Sequence, residues 1–200
     1  MTKKIMFSDK YRLTQAVLAG AKTMTRRSFA RFKPDARMFD EICNIEGGFD
    51  DKGRWIFTLY NKDGDIIGDM IPHYNIGEVV AIAQSYNSIG KTQYDKFGNG
   101  VPGNSNKMFT RAELMPHHIR ITDIKVERLQ SISDEDILKE GVWQYPKLRA
   151  YHVSKATGFA PDVAFLTARE AFAYLIDRIS GRGTWGSNPW VVAYEFKLID

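Results

Sequence analysis

A lysine, a hydroxyl and two guanidinium groups lie close together near the start of this 200-residue chain. Lys22, Thr25, Arg26 and Arg27 fall within six positions, directly after the apolar stretch 16–20 and its glycine. Threonine becomes a nucleophile when a neighbouring base removes its proton, and arginines bind anions through several N–H donors. The segment is therefore a candidate nucleophile site or a candidate anion site.

The local backbone decides which of these side chains act together. In an extended strand, Thr23, Thr25 and Arg27 would share one face, and Lys22 would point to the other face. A turn over residues 22–25 would bring Lys22 and Thr25 to the same side. Catalysis by this pair thus predicts a turn at residues 22–25.

The elements before this segment set its position. Lys4–Phe7 predicts a short first strand, and Ser8 with Asp9 predicts the start of a helix over residues 9–19. Gly20 is typical of the residue that follows a helix C-terminus.

Strands recur through the rest of the chain. Alternating or buried apolar residues predict them at Arg54–Tyr60, which forms a hairpin with Ile66–Gly68, and at Val79–Ala83, Ile119–Leu129 and Trp190–Leu198. Ser133 predicts the N-cap of a short helix that ends at Gly141, and Thr167–Ile179 has the stripe of an amphipathic helix. The pattern predicts one α+β domain over residues 1–200, built on a small antiparallel or mixed β-barrel with flanking helices. Residues 35–73, 88–111 and 142–166 are predicted to be elaborations on it.

Composition narrows the function classes only moderately. A net charge of +4 permits a nucleic-acid or nucleotide partner without requiring one. A single cysteine, Cys43, excludes a disulfide framework and fits a reducing compartment. Neither a signal peptide nor a membrane span is apparent, so we expect a cytoplasmic protein with no membrane partner.

Several short motifs resemble those of ASCH domains of the phage type, which are related to PUA domains and associated with RNA binding. The similar segments are, in order, AVLAGAKTMTRR at 16–27, Lys33-Pro34, Ile76–Ala83, Met115-Pro116, Val126–Gly141, Asn188–Val191 and Glu195-Phe196. One departure is clear, because Ala83 and Gln84 stand where such proteins usually carry Arg-Glu.

The resemblance implies a PUA-like fold and a possible activity. Some small ASCH proteins remove the acetyl group of N4-acetylcytidine with a lysine, a threonine and a glutamate, which correspond here to Lys22, Thr25 and Glu140. It implies no cofactor and no metal, and its partner would be RNA or a nucleoside or nucleotide. A lysine with a lowered pKa can act as the base for threonine, and a carboxylate can orient it.

Other interpretations are open for the same residues. Lys22–Arg27 can line a phosphate-binding groove of an RNA-binding module without any chemistry, and Glu140 can be a solvated helix-end residue. Ribonuclease activity ranks last, since no suitable histidine pair or acidic cluster is apparent.

Further ligand contacts and structural roles are assigned by residue type. The candidate ligand-binding residues are Arg26, Arg27, Tyr86, Trp185 and Asn188. Trp190 is predicted to pack in the core, and His73 and His152 to be ordinary surface residues. Lys125, Arg128 and Lys139 are predicted to form a solvated face.

Overall fold

A computed structural model describes residues 2–28, 41–145, 149–153 and 163–200. Lys33-Pro34 and parts of the expected elaborations 35–73 and 142–166 lie outside these residues. The described chain is a mixed α+β structure in which most regular residues belong to strands, as the sequence predicts.

A five-stranded sheet forms the centre. Its strands are β1 (Lys4–Ile5), β2 (Met24–Ser28), β6 (Val79–Ile82), β7 (His118–Arg128) and β10 (Trp190–Leu198). The spatial order is β1-β6-β7-β10-β2, with β1 parallel to β6 and the other pairs antiparallel. The long strands β7 and β10 carry the most extensive pairing, interrupted by an irregularity between Glu195 and Phe196.

A side-chain hydrogen bond links the two edges of this sheet. Arg27, in edge strand β2, donates a side-chain hydrogen bond to the carbonyl oxygen of Met6, which follows edge strand β1. The gap between the two edges is therefore spanned by an arginine side chain.

Two smaller sheets accompany the central one. The first contains β3 (Asn44–Phe49), β4 (Trp55–Tyr60) and β5 (Ile66–Met70), and the second contains β8 (Trp143–Tyr145) and β9 (Ala150–His152). The predicted hairpin of β4 and β5 is confirmed. Strand β3 had no clear sequence signal, because its glycines, Gly47 and Gly48, are unfavourable for strands.

The helices whose bounds the structure describes lie beside the central sheet. They are α1 (Leu13–Leu18), α2 (Asp134–Lys139), α3 (Ala168–Ser180) and α4 (Thr184–Ser187), and 3₁₀ turns lie at Asn87–Ile89, Pro102–Asn104, Lys107–Phe109, Ala112–Leu114 and Leu129–Ser131. Helix α3 buries Phe172, Leu175 and Ile176 in the main core, and a capping box formed by Thr167 and Glu170 fixes its start. Trp190 packs partly buried against the same core, as predicted.

The first helix is shorter than the sequence predicts. It starts at Leu13, preceded by Arg12 in the left-handed conformation at φ 51°, and Ser8 does not cap it. Instead, the Ser8 carbonyl accepts a hydrogen bond from Leu13 N at 2.9 Å. The expected helix over 9–19 was wrong in its first turn because residues 9–12 form a turn of their own.

Two lysines fasten the long loop before β7 to the start of the chain. Lys4 Nζ donates to the carbonyl oxygen of Met108 at 2.7 Å and also to that of Thr110. Lys107 Nζ donates to the carbonyl oxygen of Phe7 and forms an ion pair with Asp9 at 2.8 Å. These contacts hold the predicted elaboration 88–111 beside the residues that precede α1.

Candidate active site

The segment after α1 joins three elements. Gly20 adopts φ 69° and ends the helix, and the Lys22 backbone N–H then donates to the Ala16 carbonyl at 3.0 Å. The next residue, Thr23, donates its N–H to the carbonyl of Lys139, the last residue of α2, at 2.9 Å. The segment is thus tied to α1 and α2 just before β2 begins.

Lys22 is buried and fully hydrogen-bonded. Its side chain is only 2% exposed, and Nζ donates to Glu140 Oε2 at 2.6 Å. The other two donors go to the carbonyl oxygens of Met24, at 2.6 Å, and Glu140, at 2.7 Å. An ammonium group has three N–H donors, so this arrangement satisfies all of them.

Thr25 lines the same site as Lys22, but its backbone conformation differs from the predicted one. Met24 already begins strand β2, and Thr25 pairs with Tyr194 of β10, so residues 22–25 do not form the expected turn. Lys22 lies before the strand, so the alternation of side-chain directions along β2 does not apply to it. Both side chains therefore line one cavity although Thr25 is in an extended strand.

Glu140 is held between two cations. Its Oε1 accepts from Arg26 Nη1 at 3.1 Å, while Oε2 accepts from Lys22. The residue lies at the C-cap of α2, where the N-cap Ser133 accepts from Asp136 N at 3.2 Å. A glutamate at a helix end is often solvated, but this one is only 4% exposed.

Arg26 is the centre of a buried ion-pair network. Its guanidinium, only 1% exposed, donates through Nε to Glu127 Oε1 at 2.8 Å and through Nη2 to Asp136 Oδ2 at 3.1 Å. Lys125 completes the network through Asp136 at 2.5 Å. Lys125 was expected on a solvated face, and its side chain is 41% exposed. Its amine nevertheless forms ion pairs within this network.

Burial and charge set the ionisation of the network. Burial lowers the pKa of Lys22, Glu140 opposes that change, and the nearby Arg27 and Arg26 lower the pKa further. Burial also disfavours the charged form of Arg26, but Glu140 and Glu127 outweigh it and raise its pKa. Burial raises the pKa of Asp136, but Lys125 and Arg26 outweigh it, so the pKa is lowered.

A cavity of about 320 Å³ opens onto these side chains. The predicted residues that line it are Lys22, Thr25, Arg26, Arg27 and Glu140. Apolar walls come from the chain before α1, from the first residue of α1 and from α3, through Phe7, Leu13, Phe172, Leu175, Ile176 and Ile179. A buried polar cluster on one side and apolar walls on the others are typical of small-molecule sites.

Arg27 lies between this cavity and a larger one. The second cavity, of about 750 Å³, shares Met6, Arg27 and Ser28 with the first. Its walls include Tyr74 and Tyr194, whose rings meet edge to face at 5.2 Å. The Arg27 guanidinium also lies over the Phe7 ring, 5.7 Å from its centroid.

Three predicted ligand residues do not line the first cavity. Tyr86 is buried elsewhere, and its hydroxyl accepts a hydrogen bond from Arg111 N at 2.9 Å. Trp185 packs edge-on against Phe172 with 6.0 Å between ring centroids. Asn188 Oδ1 accepts from Gln130 N at 2.7 Å. In the described structure all three make structural contacts, and only that of Trp185, with Phe172, is to a residue of the cavity wall.

The histidines differ from the sequence expectation at one position. His152 is buried, only 3% exposed, and its ring lies 5.3 Å from that of Trp143, so its predicted surface position was wrong. His73 is exposed, as predicted. Within the described residues, no group of three or more His, Cys, Asp or Glu side chains is arranged to hold a metal ion.

Sequence reasoning missed two carboxylates of the network. Asp136 and Glu140 are four residues apart, so a helix places them on one face. That spacing was the available signal for Asp136. Glu127 had none, because its partner is on β2 and only the register of β7, β10 and β2 brings them together.

Comparisons with protein-family models, curated proteins and solved structures find no match to this chain. The resemblance to ASCH domains therefore stays a prediction from the sequence. Among the described helices, none is both long enough and apolar enough to cross a membrane.

Proposed function

We propose that this protein is a PUA-like ASCH-type hydrolase that cleaves the amide of an acylated nucleoside, with N4-acetylcytidine as the model substrate. One observation carries the proposal. Lys22 and Glu140 are 118 positions apart in sequence, yet they form a buried pair at a cavity that Thr25 also lines. Perturbed ionisable groups that face a cavity are typical of functional sites.

The chemistry begins with a neutral Lys22. Its amine accepts the Thr25 hydroxyl proton while Oγ1 bonds to the acyl carbon, which gives a tetrahedral oxyanion. The carbon–nitrogen bond then breaks, and Lys22 returns the proton to the exocyclic amine that leaves. Water next cleaves the acyl ester of Thr25, which releases the carboxylic acid and restores the hydroxyl.

The other side chains support these steps. A neutral amine keeps two N–H donors, so one of its three present contacts must give way to the Thr25 hydroxyl. Glu140 orients the amine, and the burial that lowers the pKa of Lys22 favours its neutral form. Arg27 faces the cavity and supplies positive charge where the oxyanion develops.

The shape of the site also favours a small substrate. About 320 Å³ is at the small end of ligand pockets, which suits one nucleoside. The hydrogen bond from Arg27 to the Met6 carbonyl, which links the two edges of the central sheet, supports the PUA-like barrel part of the proposal.

Hydrolysis of N4-acetylcytidine, followed by chromatography of cytidine, tests the function. We expect Thr25→Val, which removes only the hydroxyl, and Lys22→Met to lower kcat by at least about 100-fold. Thr25→Ser keeps the hydroxyl and is the matched control, which should retain much of the activity. Absence of turnover by the wild-type protein, or full activity of Thr25→Val, contradicts the proposal.

A non-catalytic RNA-binding module is the second candidate, and the larger cavity favours it. Lys3, Lys4 and Arg27 line that cavity, and no carboxylate from the described part of the chain does. This candidate predicts that a short single-stranded RNA binds more weakly as salt rises and more weakly to Arg27→Gln. Unchanged affinity in both comparisons removes it.

A further inference from the structure

We infer that Arg26 is a positioning residue of this site, which holds Glu140 and balances its charge so that Lys22 can act as a base, rather than a residue that binds the ligand. This inference rests on the proposed function. Arg26, which the sequence predicts to contact the ligand, would instead determine the pH at which Lys22 loses its proton.

The contacts of Arg26 leave little for a ligand. All three guanidinium nitrogens donate to carboxylates, namely those of Glu127, Asp136 and Glu140, and the side chain is 1% exposed. A fork of donors that meets several carboxylates fixes geometry as well as charge. Arg26 therefore lines the cavity with donors that are already bound to carboxylates.

The contact with Glu140 has a specific consequence for Lys22. Arg26 binds Oε1 and leaves Oε2 for the lysine amine, so the carboxylate is shared between two cations. A carboxylate that faced Lys22 alone would hold its proton more strongly. Sharing Glu140 with a permanently charged guanidinium thus makes loss of the Lys22 proton easier.

Other charged groups surround the Lys22–Glu140 pair. Arg27 lies on the cavity side of Lys22, and the neutral Phe7 ring lies 5.9 Å from Nζ. On the far side of Arg26, the described network contains Glu127, Asp136, Lys125 and Lys139, with Lys139 Nζ 3.8 Å from Asp136 and 3.6 Å from Glu195. Among these groups, Arg26 is the cation that contacts Glu140 directly besides Lys22.

The test compares two variants that each remove one cation from the network. Arg26→Met removes the cation that touches Glu140, and Lys125→Met removes one that touches Asp136 and Glu127 instead. The ¹³Cε resonance of Lys22, assigned by its loss in Lys22→Met, reports its ionisation without substrate. We expect the Lys22 titration to move to higher pH by about one unit or more in Arg26→Met and to change little in Lys125→Met.

Kinetics add a second readout. If the protein hydrolyses N4-acetylcytidine, the acidic limb of kcat/KM should move up by the same amount in Arg26→Met, and KM should change less than twofold. A purely structural role predicts a lower melting temperature with no titration shift, and a ligand-binding role predicts a raised KM with no titration shift. Either result overturns the inference.

A conservative variant covers the possibility that Arg26→Met does not fold. Arg26→Lys keeps the positive charge but cannot reach three carboxylates at once. We expect its Lys22 titration to stay close to wild type and its kcat to fall because Glu140 loses its fixed position. A titration in Arg26→Lys that moves up by one unit would contradict the charge-balancing role. The titration does not require turnover, so failure of the proposed hydrolysis and failure of this inference are separate results.

Discussion

Replacing Glu140 by glutamine should destabilise the protein strongly. The change removes the charge that contacts Lys22 Nζ at 2.6 Å and Arg26 Nη1 at 3.1 Å, at a position that is 4% exposed. Breaking a buried ion pair by removing one partner costs about 3–5 kcal/mol, because the remaining charge is left without compensation. Arg26 keeps two other carboxylates, so Lys22 bears most of this loss.

The same substitution should change how stability depends on pH. The ordinary pKa of lysine is 10.5, and burial lowers that of Lys22 in the folded protein. Between the two values the unfolded chain binds more protons than the folded chain, so stability rises with pH. Loss of Glu140 lowers the pKa of Lys22 in the folded protein further, so the pH range in which stability rises extends to lower pH. Within that range the free energy of unfolding rises by up to about 1.4 kcal/mol per pH unit.

Urea unfolding followed by circular dichroism, repeated at several pH values from neutral to moderately alkaline, measures both effects. Glu135→Gln is the matched control, because Glu135 lies on the same helix with a side chain that is 81% exposed. We expect the control to stay within about 0.5 kcal/mol of wild type. A loss of stability in Glu140→Gln no larger than in the control, or one that does not diminish as pH rises, would contradict a buried ion pair between Glu140 and Lys22.

Three further substitutions test individual contacts in the elements around the site and in the long loop before β7. Ser133→Ala removes the side-chain cap of α2 and should cost about 1 kcal/mol in urea unfolding; no loss would contradict the capping role. Gly103→Ala would place a Cβ 2.6 Å from the Tyr86 ring and should cost about 1–3 kcal/mol, whereas Gly48→Ala has no such neighbour and should cost less. Lys107→Met should speed hydrogen exchange in the 102–110 segment, because it removes the contacts to the chain before α1; unchanged exchange would show that those contacts do not hold the loop.

Local patterns were sufficient to predict most elements of the fold. The last strand, Trp190–Leu198, has the predicted bounds, and the helix predicted over Thr167–Ile179 runs from Ala168 to Ser180, with Thr167 as its cap. Both signals are short-range, since they depend on alternation and on capping. The start of α1 was not predictable in this way, because a left-handed residue, Arg12, rather than Ser8 precedes its first turn.

The site was only partly predictable from the sequence. The resemblance to ASCH domains selected Lys22, Thr25 and Glu140, and the fold brings all three to one cavity. The expected turn was absent because β2 pairs with β10 from Met24 onwards, a contact that joins residues far apart in sequence. The same long-range register explains why Glu127, one of the carboxylates that bind Arg26, had no local signal.

The acyl-enzyme step offers the most direct test of the proposed activity. Wild-type protein mixed with N4-acetylcytidine and quenched during turnover is analysed by intact mass and peptide mapping, in parallel with Thr25→Val. We expect release of cytidine and a single acetyl group on Thr25 in the wild type, with neither in Thr25→Val. No cytidine from the wild type, or equal cytidine from both proteins, would contradict the proposed activity.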